Sequence, residues 1–272
     1  MPSFRLTLAY DGTDFAGSQI QPNQRTVQGE LEGVLGHIAG TPVRAILAGR
    51  TDRGVHAVGQ VAAVKLAAWG ATPLELQRAL NARLPVDVGA TDASGCADSF
   101  NPRHDALWRE YRYWIASGAV SPFLARYAWM RRTPLDVEAV RTGAWQLVGT
   151  HDFAAFAGAG EGVPWSSRAA MSRGRTRTIL RCDCHEIRPR IAPGSKQCAT
   201  VLEVRVVADG FLPHMVRNIV GALLQVGQGQ RDPEWTAELL AGRDRRSGPA
   251  AAPPQGLTLL RVGFAGDVLD DS

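Results

Sequence analysis

The chain has 272 residues, 45% of them apolar, and its 30 basic against 26 acidic side chains leave a formal charge of +4. That composition suits one large domain or two modest ones with real cores, and it excludes a disordered, fibrous or disulfide-stapled chain. With no apolar run near the roughly 18 residues of a membrane span, no signal-peptide pattern at the N-terminus and only four cysteines, a soluble cytoplasmic protein with reduced thiols and no membrane partner is expected.

Phe4, Leu6, Leu8 and Tyr10 alternate with Arg5, Thr7 and Ala9, the period of a half-buried strand. Asp11-Gly12-Thr13-Asp14 breaks it. Thr26 then caps a predicted helix carrying Val27, Leu31, Val34, Leu35 and Ile38, with Gly40 as its stop. Val43 to Leu47 and Val58 to Leu66 read as strands. A helix opening at Pro73 carries Leu74, Leu76, Leu80 and Leu84, and Val86 to Thr91 reads as a further strand. The order β-α-β-β-α-β predicts an α+β fold with both helices on one face of an antiparallel sheet.

A comparable order returns. Ala106 to Ile115 is strand-like, Asp136 to Leu147 a helix, and Thr176 to Arg188 with Cys198 to Ala208 a long hairpin. Helices over Pro213 to Val226 and Trp235 to Leu240 precede a closing strand, Leu257 to Phe264. Periodicity lapses near Ser94 to Asp105, which sets the expected domains at 1–100 and 101–272. The glycine- and proline-rich loops Gly158 to Ser167 and Arg246 to Pro254 read either as plain surface loops or as mobile arms that order on a large ligand.

Gly49-Arg50-Thr51-Asp52-Arg53-Gly54-Val55-His56 is the most chemically suggestive segment. Glycines lower backbone crowding around a lone carboxylate set between two arginines. Such an aspartate can simply close a turn, or it can serve as a nucleophile kept ionised by a cationic neighbour. In Phe211-Leu212-Pro213-His214-Met215-Val216-Arg217-Asn218-Ile219-Val220-Gly221, a helix from Pro213 would put His214, Arg217 and Gly221 on one face. Arg217 inside so apolar a run needs a partner, either a structural carboxylate or Asp52 itself. On a strand, Tyr111 and Tyr113 share one face while Arg112 and Trp114 share the other, a mixture suited to stacking on bases or to an ordinary core.

Arginines crowd at Arg168, Arg173, Arg175, Arg177 and Arg181, and again at Arg243, Arg245 and Arg246. Like charges so placed cost free energy without a counter-charge, although high-GC codon usage also raises arginine overall. Cys182-x-Cys184 with Cys198 has no usual zinc spacing and fits small core residues, so no metal is expected. His104 and His151 are lone histidines suited to structure or RNA contact.

Taken together, these segments resemble the tRNA pseudouridine synthase A family. The resemblance runs almost end to end: Ala9 to Gly17, Thr26-Val27-Gln28, Gly49-Arg50-Thr51-Asp52-x-Gly54-Val55-His56-Ala57, Asn81-Ala82-x-Leu84-Pro85 and Phe100-Asn101-Pro102-Arg103. It continues through Tyr111-Arg112-Tyr113, Gly149-Thr150-His151-Asp152-Phe153, Arg177-Thr178-Ile179 and His214 to Gly221. It implies the pseudouridine synthase fold: two ferredoxin-like halves with antiparallel sheets joined around a central cleft. It also implies isomerisation of uridine to pseudouridine at positions 38, 39 and 40 of the tRNA anticodon stem-loop, without cofactor or metal.

By motif, the resemblance makes Asp52 the attacking aspartate on a flipped nucleotide, at C1′ or C6, Tyr111 the ring stacked on the uracil, and Arg217 the partner of Asp52. Arg50 takes the space of the flipped base and Leu257 lines the pocket. The substrate-binding set is completed by Arg53, Arg103, Arg112, His151, Arg173, Arg175, Arg177 and His214. A homodimer with tRNA across both subunits is implied. Ser18 departs from the family's usual Trp, a missing packing or RNA-contact ring, and Arg53 replaces the usual Ala. The alternatives are action at another RNA site and a tRNA-binding protein without catalysis.

Overall fold

The computed structural model describes residues 2–67, 70, 72–118, 121–158, 174–190 and 198–269. It divides into two compact units, Met1–Arg109 with Thr258–Ser272, and Glu110–Leu257. The first contains β1 (Ser3–Tyr10), α1 (Val27–Ala39), β2 (Ala45–Leu47), β3 (His56–Lys65), α2 (Pro73–Asn81), β4 (Val88–Cys96) and the short α3 (Pro102–Asp105). The chain's last strand, β10 (Leu257–Gly263), returns to it from Thr258 on.

Local chemistry sets the helix ends. The Thr26 hydroxyl accepts the Gly29 N–H at 3.2 Å, and α1 stops at Gly40, which takes the left-handed φ of 68°. Thr72 and Glu75 form a reciprocal capping box ahead of Pro73. Leu31 and Leu35 of α1 and Leu76 and Leu80 of α2 join Phe4, Leu6 and Leu8 of β1 in one core cluster. Each such burial contributes about 1.5–3 kcal/mol, enough to hold both helices to one sheet face.

β1 lies between β3 and β4 and runs antiparallel to both, with Leu6 opposite Ala62 and Ala93. Two strands share the other edge of β3. β2 pairs antiparallel near its end, Ala45 opposite Val64, and β10 pairs parallel near its start, Thr258 opposite His56. Gly59 permits this second approach, since an added Cβ would stand 2.2 Å from the Leu260 carbonyl oxygen. The loop between β2 and β3 therefore leaves a hairpin pinned at both ends.

The second unit contains β5 (Trp108–Ser117, from Glu110 on), β6 (Trp129–Arg131), α4 (Val137–Trp145), β7 (Gly149–Asp152), β8 (Thr176–Ile187), β9 (Thr200–Ala208), α5 (Met215–Gly227) and α6 (Trp235–Gly242). Its strands run in the order β5-β9-β8-β7, with β6 on β5. α4 packs on β8 and α5, and Gly227 lets the helices close, because a Cβ there would meet Val140 Cγ2 at 2.6 Å.

Both units are α+β, with mostly antiparallel pairing. The expectation of wholly antiparallel sheets is corrected at β10 on β3 and β6 on β5, which are parallel. β4 starts at Val88 rather than Val86, because the Val88 N–H closes a turn on the Pro85 carbonyl and Val86 is left exposed. Short β6 and β7 carry too few residues to show a period, and the sequence pattern misses them.

Candidate active site

Asp52 sits half-buried on the β2–β3 connection, where Gly49, Thr51 and Val55 are tied down within the first unit. Thr51, immediately before it, is buried and held at three points. Its N–H donates to Ser18 Oγ at 2.8 Å, its carbonyl accepts the Ser18 N–H at 3.1 Å, and its hydroxyl meets the Tyr10 hydroxyl at 2.9 Å. Gln60 braces the loop's start, donating to the Gly49 carbonyl at 2.9 Å and to the Tyr10 oxygen at 3.4 Å. The Val55 N–H closes the turn on the Asp52 carbonyl at 3.1 Å. Burial pushes the Tyr10 phenol up to about 12, its bonds to Thr51 and Gln60 offsetting part of the rise, so it stays neutral.

Asp11-Gly12 supplies the other wall. His56 Nδ1 accepts the Gly12 N–H at 3.0 Å and lies 3.2 Å from an Asp11 carboxylate oxygen. Gly12 is obligatory, since a Cβ would stand 2.0 Å from the Val55 oxygen. Gly17, at φ 118°, brings its chain against the Thr51 carbonyl. Such a frame fixes the main chain on either side of Asp52.

Arg50 and Arg103 come together in this unit. Partial burial, and then the like charge of Arg103, pull the Arg50 guanidinium below its ordinary proton affinity. Two cations so placed favour an arriving phosphate. Arg109 links their segments by donating to the Ala48 and Arg103 carbonyls, each at 3.0 Å. Arg53 is exposed.

In the second unit α5 begins at Met215, not Pro213. His214 is the N-cap residue in the left-handed region, φ 57°, so it does not share a helical face with Arg217 and Gly221. Its ring lies against Gly158, where a Cβ would meet Nδ1 at 2.6 Å. Arg217 Nε donates to the Ala252 carbonyl at 2.7 Å, and the Arg217 carbonyl accepts the Ala252 N–H at 2.9 Å. Tyr113 donates to the Pro253 carbonyl at 2.8 Å, and Gly256 leaves room for its ring. The Arg246 to Pro254 loop is thus anchored rather than a free arm, and Leu257, which follows it, is buried.

Tyr111 is buried and packs edge-on against Phe211, centroids 5.1 Å apart. On the opposite face of β5, Arg112 lies 3.2 Å from Glu110 and 3.0 Å from Glu203, which also accepts the Trp114 indole N–H at 2.7 Å. Arg205 joins Glu110 at 2.8 Å, both almost wholly buried. The structure therefore sets Arg112 in a balanced ion network. His151 folds back on the Val148 carbonyl at 3.0 Å, Arg177 caps the Gly174 and Thr176 carbonyls, and Arg175 is exposed. Arg168, Arg173 and the loop residues 159–167 lie outside the described residues.

Cys182 and Cys184 are buried on β8. Burial raises both thiols, Cys184 to about 11, as expected of core residues. Sequence reasoning missed Tyr10, Gln60 and Arg109 as braces of the Asp52 loop. Of the two readings of Ser18, a missing packing ring or a missing RNA-contact ring, its complete enclosure agrees with a packing position.

Residues 7–105 and 144–265 match the family model described as tRNA pseudouridine synthase. Among curated relatives, a protein named tRNA pseudouridine synthase A from Solidesulfovibrio magneticus is 44% identical, over 97% of this chain and 92% of the relative. Proteins of the same name from Thermosipho africanus and Maridesulfovibrio salexigens are 41% and 39% identical, over 97% and 96% of this chain and 100% and 90% of theirs.

Proposed function

The chain belongs to the tRNA pseudouridine synthase family and isomerises uridine to pseudouridine in tRNA; we propose that Asp52 is its nucleophile and that its targets are positions 38, 39 and 40 of the anticodon stem-loop. The observation that carries this reading is the Asp52 loop, a carboxylate on a segment whose preceding residue is held at main chain and side chain alike.

In this reading the target nucleotide leaves the stem, because its reacting atoms are inaccessible within the stack. The Asp52 carboxylate attacks at C1′ or C6, the N1–C1′ bond breaks, the uracil turns, a C5–C1′ bond forms, the bond to Asp52 is released, and the proton lost from C5 is matched by one gained at N1. No atom is gained or lost overall. Tyr111 stacks on the uracil and is the candidate for proton removal. Arg217 pairs with Asp52 to keep it charged, and Arg50 fills the space of the flipped base. Leu257 lines the base pocket. Arg53, Arg103, Arg112, His151, Arg173, Arg175, Arg177 and His214 complete the tRNA-binding set. RNA stems are read mainly through shape and backbone, which suits a target that shifts among three adjacent positions.

The same reading carries two ferredoxin-like halves around a cleft, a homodimer with tRNA across both subunits, and a cytoplasmic location. Pseudouridine mapping on an unmodified tRNA with uridines at 38, 39 and 40 tests it. Wild type should convert those positions, while Asp52→Ala should bind tRNA and lose turnover by at least about 1,000-fold, as removal of a covalent nucleophile does. Conversion elsewhere would move the target. Tight binding without conversion by wild type would leave a tRNA-binding protein.

A further inference from the structure

We propose that Ser18 is a positioning residue for Asp52, its enclosed hydroxyl setting the main-chain direction from which the carboxylate meets the nucleotide. This rests on Asp52 being the nucleophile. Ser18 is 0% exposed, so its side chain meets protein alone and cannot read RNA. Both of its near polar groups turn to the residue before Asp52: Oγ accepts the Thr51 N–H at 2.8 Å, and its N–H donates to the Thr51 carbonyl at 3.1 Å.

The grip is itself anchored. The Ser18 carbonyl accepts the Gln28 N–H at 2.9 Å, in the first turn of α1, and α1 is packed into the core through Leu31 and Leu35. Gly17, at φ 118°, is what lets the Ser18 segment come so close, for a Cβ there would stand 3.0 Å from the Thr51 oxygen. The path from core to carboxylate runs α1, Ser18, Thr51, Asp52, with a hydrogen bond or a covalent bond at every step. A supporting shell of this kind matters because a misplacement of about 1 Å costs roughly 100-fold in rate. A tryptophan ring could fill this position but could not accept the Thr51 N–H, since its only polar group is a donor.

The test is steady-state kinetics on an unmodified tRNA transcript, with wild type, Ser18→Ala and Ser18→Cys, and with folding checked by circular dichroism and thermal unfolding. Ser18→Ala removes the acceptor and leaves a buried N–H unpaired. Its kcat should fall by about tenfold or more, while KM for tRNA stays within about twofold. Ser18→Cys keeps a weaker acceptor on a slightly larger side chain, so its kcat should fall between the two.

A Ser18→Ala turnover within twofold of wild type, or equal losses in kcat and tRNA affinity, would overturn the proposal. If the alanine variant does not fold, the cysteine variant decides, and an unchanged kcat there overturns it. Wild type that binds tRNA and makes no pseudouridine would instead remove the catalytic reading, and this inference with it.

Discussion

The loop at 48–55 in the first unit and the loop at 249–253 in the second are both irregular, and both are tied to a buried tyrosine, yet the first is tied by side-chain acceptors as well as donors and the second mainly by donors. The first is rich in glycine and keeps its N–H groups, so its tethers include acceptors: Ser18 Oγ takes the Thr51 N–H, and the Gln60 side chain both gives to and takes from Gly49. The second begins and ends in proline, which has no N–H to offer. Its tethers are mainly donors aimed at carbonyls: Arg245 on Pro249, Arg217 on Ala252 and Tyr113 on Pro253. Composition thus dictates what kind of side chain must stand beside each loop. The first loop is braced by the hydroxyls of Ser18 and Tyr10 and the amide of Gln60, with the Arg109 guanidinium on its Ala48 carbonyl.

The largest expected effect comes from forcing either loop off its seat. Gly12→Ala would put a Cβ 2.0 Å from the Val55 oxygen, and Gly221→Ala one 2.2 Å from the Ala250 oxygen. Backbone cannot yield as a flexible side chain does, so each should lose about 3 kcal/mol in urea unfolding, the upper part of the overpacking range. Gly221 lies within α5, where alanine would by itself gain about 1 kcal/mol of helix propensity. The clash outweighs that gain. A Gly221→Ala protein more stable than wild type would show that the second loop is not seated on the helix. Gly12→Ala should in addition depress turnover, because Val55 closes the Asp52 turn.

How much of this was legible in the sequence depends on the range of the interaction. Thr26 and Gly40 act within a few residues and α1 is where periodicity puts it, while α2 opens at Pro73 as expected but ends at Asn81, short of Leu84. The Gly-Arg-Thr-Asp segment also stands out locally. His214 did not, because Pro213 suits a first helical position and only the packing against Gly158 reveals the left-handed turn. The Glu203 partner of Arg112 was not legible, since it lies 91 residues away. The Arg246 to Pro254 loop read as a plain surface loop or a mobile arm, because its tethers from Tyr113 on β5 and Arg217 on α5 are distant in sequence. Ser18 was visible only as a departure, and its enclosure could not be.

An alkaline titration sharpens the comparison next. Burial raises Tyr10 from 10.0 to about 12 and also raises Tyr113, whose rise Arg217 partly offsets. Each unit therefore holds a phenol neutral above its ordinary value. That stabilisation is whole below pH 10 and is lost as the pH climbs, because the unfolded chain gives up its protons first. Tyr10 alone should account for about 1.4 kcal/mol per pH unit between 10 and about 12. The raised thiols of Cys182 and Cys184 add a decline in the same direction from pH 9. The informative quantity is thus the difference between wild type and Tyr10→Phe, which should have a gentler slope above pH 10. Equal slopes would mean that Tyr10 is open to water.

The smallest effect separates the two tyrosines by what each hydroxyl does. Tyr113→Phe removes one neutral hydrogen bond, to the Pro253 carbonyl, and should cost about 1 kcal/mol. Tyr10→Phe should cost a similar amount, since its hydroxyl bonds to the neutral side chains of Thr51 and Gln60. Their consequences for catalysis should differ. Losing the Thr51 contact slackens the segment that carries Asp52, so Tyr10→Phe should lower kcat by several-fold at unchanged KM. The Pro253 carbonyl sits on a loop that Arg217 and Gly221 still hold, so Tyr113→Phe should leave kcat within about twofold. Equal falls in kcat for both variants would show that the two loops act as one mechanical element, and that the contrast in how they are tied has no functional counterpart.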